Sequence, residues 1–348
     1  MRISPFRAII VVVVLLVVVP GTVLSGTLTV RQDGTGDFTT IVAAVAAAAA
    51  GDVIDGGPGT YTESVFIDKS LTVVGTSGLN ATTVDGLSAF VPITLSGTIT
   101  VHLEGLTVSH GLNPTGTAGG GVGIRNGVVA TITGCHFEGS TSHLAGGAVF
   151  VMGPSRLDID NCSFAGNHAD GDGGAGYVTE GGVMTVMNCT FVGNTASPWA
   201  AALGNYYSTL NVSGCLFAHN VSTDVAGAIY YYRANGYVTN STFYNNSTGY
   251  GPYSGTIMMN QSPSTSVTYC IMSGDQTSYG LYYYSNKGNH SCNVFWNNAK
   301  GPIYGDALAS TEVVSDPRFC SPMAGSFYLA EDSPAAPGYN DCGALIGA

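Results

Sequence analysis

Charged side chains are scarce in this chain. Asp, Glu, Lys and Arg make up 9% of its 348 residues, and only 10 of them are basic against 22 acidic. A nucleic-acid partner needs a basic stripe to meet phosphates, so that class of partner is not expected. Histidine is thin as well: His136, His143, His168, His219 and His290 share no common spacing, which argues against a zinc site. Beyond the first residues there is no apolar run long enough to cross a bilayer. What the chain has in quantity is glycine, at 49 residues. Little charge combined with abundant glycine in a long chain favours a β-architecture with many tight turns over a helical one.

The opening MRISPFRAIIVVVVLLVVVPGTVLSG sets Arg2 and Arg7 before an apolar run from Ala8 to Val19, then Pro20 and small residues. That run is short for a membrane span and reads as a secretory signal over residues 1–25, with Val23 and Ser25 suiting cleavage after Ser25. Left uncleaved, it would be an anchor. Cleavage removes two arginines and no acid, so the mature chain becomes more acidic than the formal net charge of −12. The expected location is secreted or cell-surface, without a membrane span once the signal is gone.

The rest of the chain repeats. Laid in register, the copies are VHLEGLTVS (101–109), ITGCHFEGS (132–140), IDNCSFAGN (159–167), VMNCTFVGN (186–194), VSGCLFAHN (212–220), VTNSTFYNN (238–246), VTYCIMSGD (267–275) and HSCNVFWNN (290–298). From the second to the sixth the spacings are 27, 27, 26 and 26 residues. The first column is Val or Ile in seven of eight copies and the sixth is Phe in six, which are inward strand positions. Between them the inward parity switches, so the chain must turn a corner. Gly134, Asn161, Asn188, Gly214 and Asn240 supply residues that accept positive φ there. The Cys column (Cys135, Cys162, Cys189, Cys215, Cys270) points inward just after the corner. Its thiols stack ~4.8 Å apart, too far for the ~3.8 Å Cβ separation of a disulfide, and read as free buried groups. Asn167, Asn194, Asn220, Asn246 and Asn298 form a ninth column suited to a hydrogen-bonded ladder. A phrase of small residues (GGAVF, GGAGY, AALGN, AGAIY) follows at a steady offset, so each coil holds several short strands. One coil cannot bury its inward face alone, and stacking does so.

This pattern resembles the right-handed parallel β-helix of the pectin-lyase-like superfamily, with about eleven coils. A left-handed helix would show a hexapeptide period, and a propeller a period near ~40 residues. The resemblance implies an all-β solenoid over residues 26–317, including an N-terminal cap, and a closing segment over 318–348. The opening phrases DGTGDF and GTY, joined by an Ala-rich helix from about Thr39 to Ala50, are similar to the start of pectin methylesterases. In that helix Asp37 or Thr39 is placed as cap, and Ile41, Val42 and Val45 as the buried face. The segment DPRFCSPMAGSFYLAEDSPAAPGYNDCGALIGA resembles the close of secreted bacterial β-helix repeat proteins. Its Cys320 and Cys342 lie outside the ladder and are expected to pair after export.

The catalytic phrase of pectin methylesterases is missing: GDQTSYG (274–280) transposes its Asp and Gln, and Asp275 sits in the Asn column. Pectate-lyase chemistry needs a basic residue beside carboxylates. Arg156 directly precedes LDID, whose Asp158 and Asp160 share an outward strand face ~6.5 to 7 Å apart, close enough for a shared cation or an acid and base pair. A merely solvated face is the competing reading. Asp170 and Asp172 on the Gly-rich turn HADGDGG suit Ca²⁺, although the pattern of an EF-hand or β-roll is absent. Tyrosines cluster in NYYS, IYYYRAN and LYYYSN, and Tyr206, Tyr231 and Tyr283 are taken as sugar platforms, with sheet-stabilising stacking as the alternative. The expected function is to bind or process an extracellular polysaccharide or cell-surface glycan as a monomer. A non-enzymatic adhesin or scaffold is the other reading, since no catalytic motif is complete.

Overall fold

The computed structural model describes residues 25–75, 81–115, 119–249, 251 and 253–348. The expected signal peptide lies outside the described residues apart from Ser25. The described residues form an all-β parallel solenoid. Three long sheets run its length, with eleven, eleven and ten strands, and a five-stranded sheet of two-residue strands lies between the second and the third. One coil shows the path. Arg156–Asp160 belongs to the first sheet and Ser163–Ala165 to the second; His168–Ala169 lies in the short sheet and Gly176–Thr179 in the third, before Val183–Met187 returns to the first. Every pairing in these sheets is parallel, coil on coil, and the register shifts only in the third sheet, between Ala226 and Ile229 and between Met259 and Asn260. Among the described residues no helix is long and apolar enough to cross a membrane.

The repeat columns account for this geometry. Asn161, Asn188 and Asn240 turn the corner between the first and second sheets at φ of 51°, 51° and 47°, and Gly134 and Gly214 do so at 60° and 65°. Past the corner, Phe137, Phe164, Phe191, Phe217 and Phe243 stack face to face with centroids 4.6–4.7 Å apart, fully buried. Each such ring contributes roughly 1.5–3 kcal/mol by burial. The ladder forms as well. Asn194 Oδ1 accepts from the backbone N–H and the Nδ2 of Asn167, both at 3.0 Å, while its own Nδ2 donates to the Phe164 carbonyl and to Asn220 Oδ1. Cysteines of the core column stay free, and each thiol from Cys162 to Cys215 accepts the backbone N–H of the coil before it at 3.3–3.4 Å.

At the first end, α1 (Ile41–Ala47) lies on the stack and buries Ile41, Ala44 and Val45, leaving Val42 exposed. Its cap is Thr40, whose hydroxyl accepts from the Ala43 N–H. Glu63, from the loop after the GTY strand, accepts from the N–H groups of Ile41 and Val42, which places a carboxylate on the helix dipole. At the other end, residues 316–348 lie against the outer side of the second sheet. A small antiparallel hairpin sets Phe319 and Phe327 on Tyr244, and Ile346 is buried among Ile271, Val294 and Ala335.

The disulfide differs from expectation. Cys342 bonds to Cys292 with S–S 2.00 Å, not to Cys320, which is free and exposed. The cause is a one-residue offset in the copy HSCNVF. Cys292 occupies the corner position at φ 57°, so its side chain turns outward toward the closing segment. Asn293 takes the thiol's inward place and accepts the Cys270 N–H.

Candidate functional site

Strand alternation decides which side chains the third sheet offers to solvent. Its inward column runs through Val151, Val178, Asn205, Tyr231, Met259 and Tyr283. Tyr231 and Tyr283 are therefore core residues, 0% and 2% exposed, and cannot act as sugar platforms; this corrects the expectation for both. In each triple tyrosine the middle ring turns in and its neighbours turn out. Tyr206 does face out, at 38% exposure. The outer columns read Gly123, Phe150, Tyr177, Gly204, Tyr230, Met258, Tyr282, Tyr304, and beside them Met152, Thr179, Tyr206, Tyr232, Asn260.

On this face a cavity of about 360 Å³ opens among Phe150, Asp172, Tyr177, Glu180, Trp199 and Tyr206. A second recess of about 420 Å³, lined by Arg125 and Asn126, shares Met152 and Glu180 with it, so the two form one groove. Phe150 and Tyr177 stack at 5.6 Å and form the floor. Gly204 makes room for them: a Cβ there would come within 2.7 Å of the Tyr177 ring. Asp172 is only 8% exposed, its Oδ1 is buried without a hydrogen-bond partner, and burial pushes its carboxyl up to about 7. At neutral pH it can therefore both hold and release a proton. Tyr206 stacks on Tyr232 at 5.0 Å, and the Arg233 guanidinium lies over Tyr207 and Tyr232 at 5.6 and 5.4 Å.

The remaining expected residues fall elsewhere. Arg156 donates two hydrogen bonds to Asp158, at 3.0 and 2.8 Å, and Asp160 accepts from Asn188 Nδ2 at 2.8 Å, all on the outer side of the first sheet. Asp170 contacts His168 at 3.0 Å and His143 at 3.6 Å, whereas Asp172 serves the groove, so the two turn carboxylates have separate surroundings. Among the described residues no group of three or more His, Cys, Asp or Glu side chains is arranged to hold a metal ion. Sequence reasoning missed Arg125, Glu180, Trp199 and Arg233. Their signal was position along the third sheet: Arg125 ends one of its strands, Glu180 and Arg233 directly follow two others, and Trp199 lies in the connection leading into Leu203–Tyr206.

Cation placement adds a further observation. Of the five described arginines, Arg31, Arg156 and Arg318 are ion-paired with Asp55, Asp158 and Asp332. Among the described residues Arg125 and Arg233 have no carboxylate partner; Arg125 lines this groove, and Arg233 lies beyond its rim over Tyr232, the ring stacked on Tyr206.

A family profile described as "Right handed beta helix region" matches residues 93–256. That match falls within the parallel solenoid described above, and its description agrees with the observed fold. Among solved structures, the pectin methylesterase PemA from Erwinia chrysanthemi is 14% identical, with 88% of this chain and 98% of that chain covered and a TM-score of 0.38. A pectin methylesterase from carrot is also 14% identical, covering 83% and 88%, with a TM-score of 0.38. The A-module of the Azotobacter vinelandii mannuronan C-5 epimerase AlgE6 is 12% identical, covering 79% and 92%, at 0.33. No curated protein matches the sequence significantly.

Proposed function

We propose that this is an exported protein that binds an acidic polysaccharide along the outer face of the third sheet and acts on it there. The observation that carries the reading is the groove itself, where an aromatic floor, a buried carboxyl near neutrality and the carboxylate-free Arg125 meet, with Arg233 further along the same face. Aromatic rings present flat apolar surface to sugar rings, and Arg forks pair with carboxylates or sulfates. Asp172 is the proton-carrying group, with Glu180 as the second carboxylate of the site. We place the chemistry here rather than at Asp158 and Asp160, whose oxygens are engaged by Arg156 and Asn188.

The test is affinity electrophoresis against polygalacturonate, alginate and a neutral β-glucan, followed by assay for unsaturated uronides and new reducing ends. Retardation by an acidic polymer that is lost in Trp199→Ala and in Arg125→Ala/Arg233→Ala, with product formation lost in Asp172→Asn, is expected. Equal retardation of these variants and the wild type would remove the groove from the reading. A scaffold or adhesin without catalysis is the second reading, favoured by the absence of any complete catalytic phrase. Polymer retention with no product under any condition would select it.

A further inference from the structure

We infer that the same face carries a second sugar-binding station, built from Tyr253, Tyr284 and the stacked pair Tyr282 and Tyr304, which holds a distal part of the same glycan strand. This rests on the groove reading above. Tyr282 and Tyr304 are register neighbours in the outer column of the third sheet, with ring centroids 4.5 Å apart and planes 7° from parallel. Tyr253 stands edge-on to Tyr282 and Tyr284, at 6.4 and 5.4 Å.

Packing alone does not explain this cluster. Tyr253 and Tyr284 remain 51% exposed and Tyr304 45%. Sheet-stabilising stacks shield their rings, as Tyr282 does beneath them at 1%. The segment bearing Tyr253 is held from behind: the Lys300 ammonium donates to the Gly251 carbonyl and to Ser254 Oγ, both at 2.7 Å. Held rings with open faces and hydroxyls at the rim suit a pyranose, which offers apolar C–H faces and peripheral hydroxyls. Lys300 has no carboxylate partner among the described residues, so the station repeats the groove's pairing of aromatic surface with a cation. Beside the second station, Ser285 Oγ, next to Tyr284 in the same strand, and its register neighbour Asn260 Oδ1, one coil earlier, are buried without partners, two polar atoms that the protein's own packing leaves unsatisfied.

Spacing defines the occupant. From the Tyr177 row to the Tyr282 row there are four coil steps, ~19 Å at ~4.8 Å each. A disaccharide reaches one station only, while a polymer lying along the solenoid axis reaches both, and linked sites gain affinity through effective concentration.

The experiment measures binding of polygalacturonate and alginate, each as polymer and as disaccharide, to the full chain by calorimetry. We expect the wild type to hold one polymer at least about tenfold tighter, per binding site, than the matching disaccharide. Tyr284→Ala/Tyr304→Ala should lose that excess and keep the disaccharide affinity. Tyr253→Ala, which alters no sheet strand, should lose part of it. Unchanged polymer affinity in both variants overturns the second station and leaves the groove reading intact. Loss of disaccharide affinity in both would show one undivided site and also overturn it. Failure of the wild type to bind either polymer overturns the groove reading and this inference together.

Discussion

Asn194 shows how much of this molecule is decided one side chain at a time. Its amide serves two coils at once, and its truncation leaves the Phe164 carbonyl, the Asn167 N–H and the Asn167 and Asn220 amides short of partners in a dry interior. At ~1–3 kcal/mol for each buried group left unmade, Asn194→Ala should lose roughly 3–5 kcal/mol, read as a lowered urea midpoint with unchanged cooperativity. Cysteine gives a second measurement. Burial pushes the Cys270 thiol up to about 12, and its column mates are equally enclosed, so a thiol reagent should titrate one group, Cys320, in the native protein and six after unfolding without reductant. Asp172 adds a pH dependence. Its folded pKa is raised to about 7 from an ordinary 3.8, so the folded state is favoured while the carboxyl is protonated and loses stability as pH rises from about 4 to 7. That loss is on the order of 4 kcal/mol, and Asp172→Asn should flatten it in melts taken across that range. The Asn and Cys roles were legible beforehand because a column repeats its message in every coil. The Tyr231 and Tyr283 assignments failed because a run of three tyrosines does not say which ring turns inward until the strand's parity is known.

Among the elements, the closing segment depends most on contacts distant in sequence. It is attached at Cys292–Cys342, buried at Ile346, and bounded by a charged knot in which His290 meets Glu312 at 2.9 Å and Asp306 at 3.5 Å. The bond to Glu312 raises the His290 pKa, so the knot's stabilisation is full below the ordinary His value and fades as pH climbs through the raised one. Cys342→Ser removes a crosslink spanning 50 residues, for which chain entropy gives a loss of about 4 kcal/mol. Limited proteolysis should then cut the segment after Glu312 first, and faster at pH 9 than at pH 6, while the coils up to Thr268 stay resistant. An equal cutting rate at both pH values would remove His290 from this account. The repeat exposed the coils in the sequence but not this attachment. Its signal was a single cysteine one place early in HSCNVF, an offset that acquires meaning only once the corner geometry is known. The capping helix was legible in kind, whereas its anchor Glu63 came from a loop 21 residues away and needed the stacked first coil to bring it there.

For the molecule as a whole, the distribution of charge sets the terms on which it meets a partner. The chain is acidic overall, with a formal net charge of −12. An acidic polysaccharide would therefore be repelled at long range and attracted only where cations are left without a carboxylate, as Arg125 and Arg233 are along the third sheet. Coil stacking explains why this was not visible in the sequence. Asp172 comes from one coil and Trp199 and Tyr206 from the next, and Arg125 and Arg233 from coils four steps apart, so no short stretch of sequence contains the site. Two opposing electrostatic terms then predict an unusual salt response. Repulsion from the body acts over distances beyond the Debye length and is screened first, between about 0.01 and 0.1 M, while the contact pairs at Arg125 and Arg233 weaken at higher ionic strength. Affinity for an acidic polymer should rise with added salt up to roughly 0.1 M and fall beyond it. Arg125→Ala/Arg233→Ala should keep the rise at low salt and lose most of the fall, because only the long-range term survives. A monotonic fall from the lowest salt, unchanged in the variant, would mean that binding is governed by cations elsewhere on the surface.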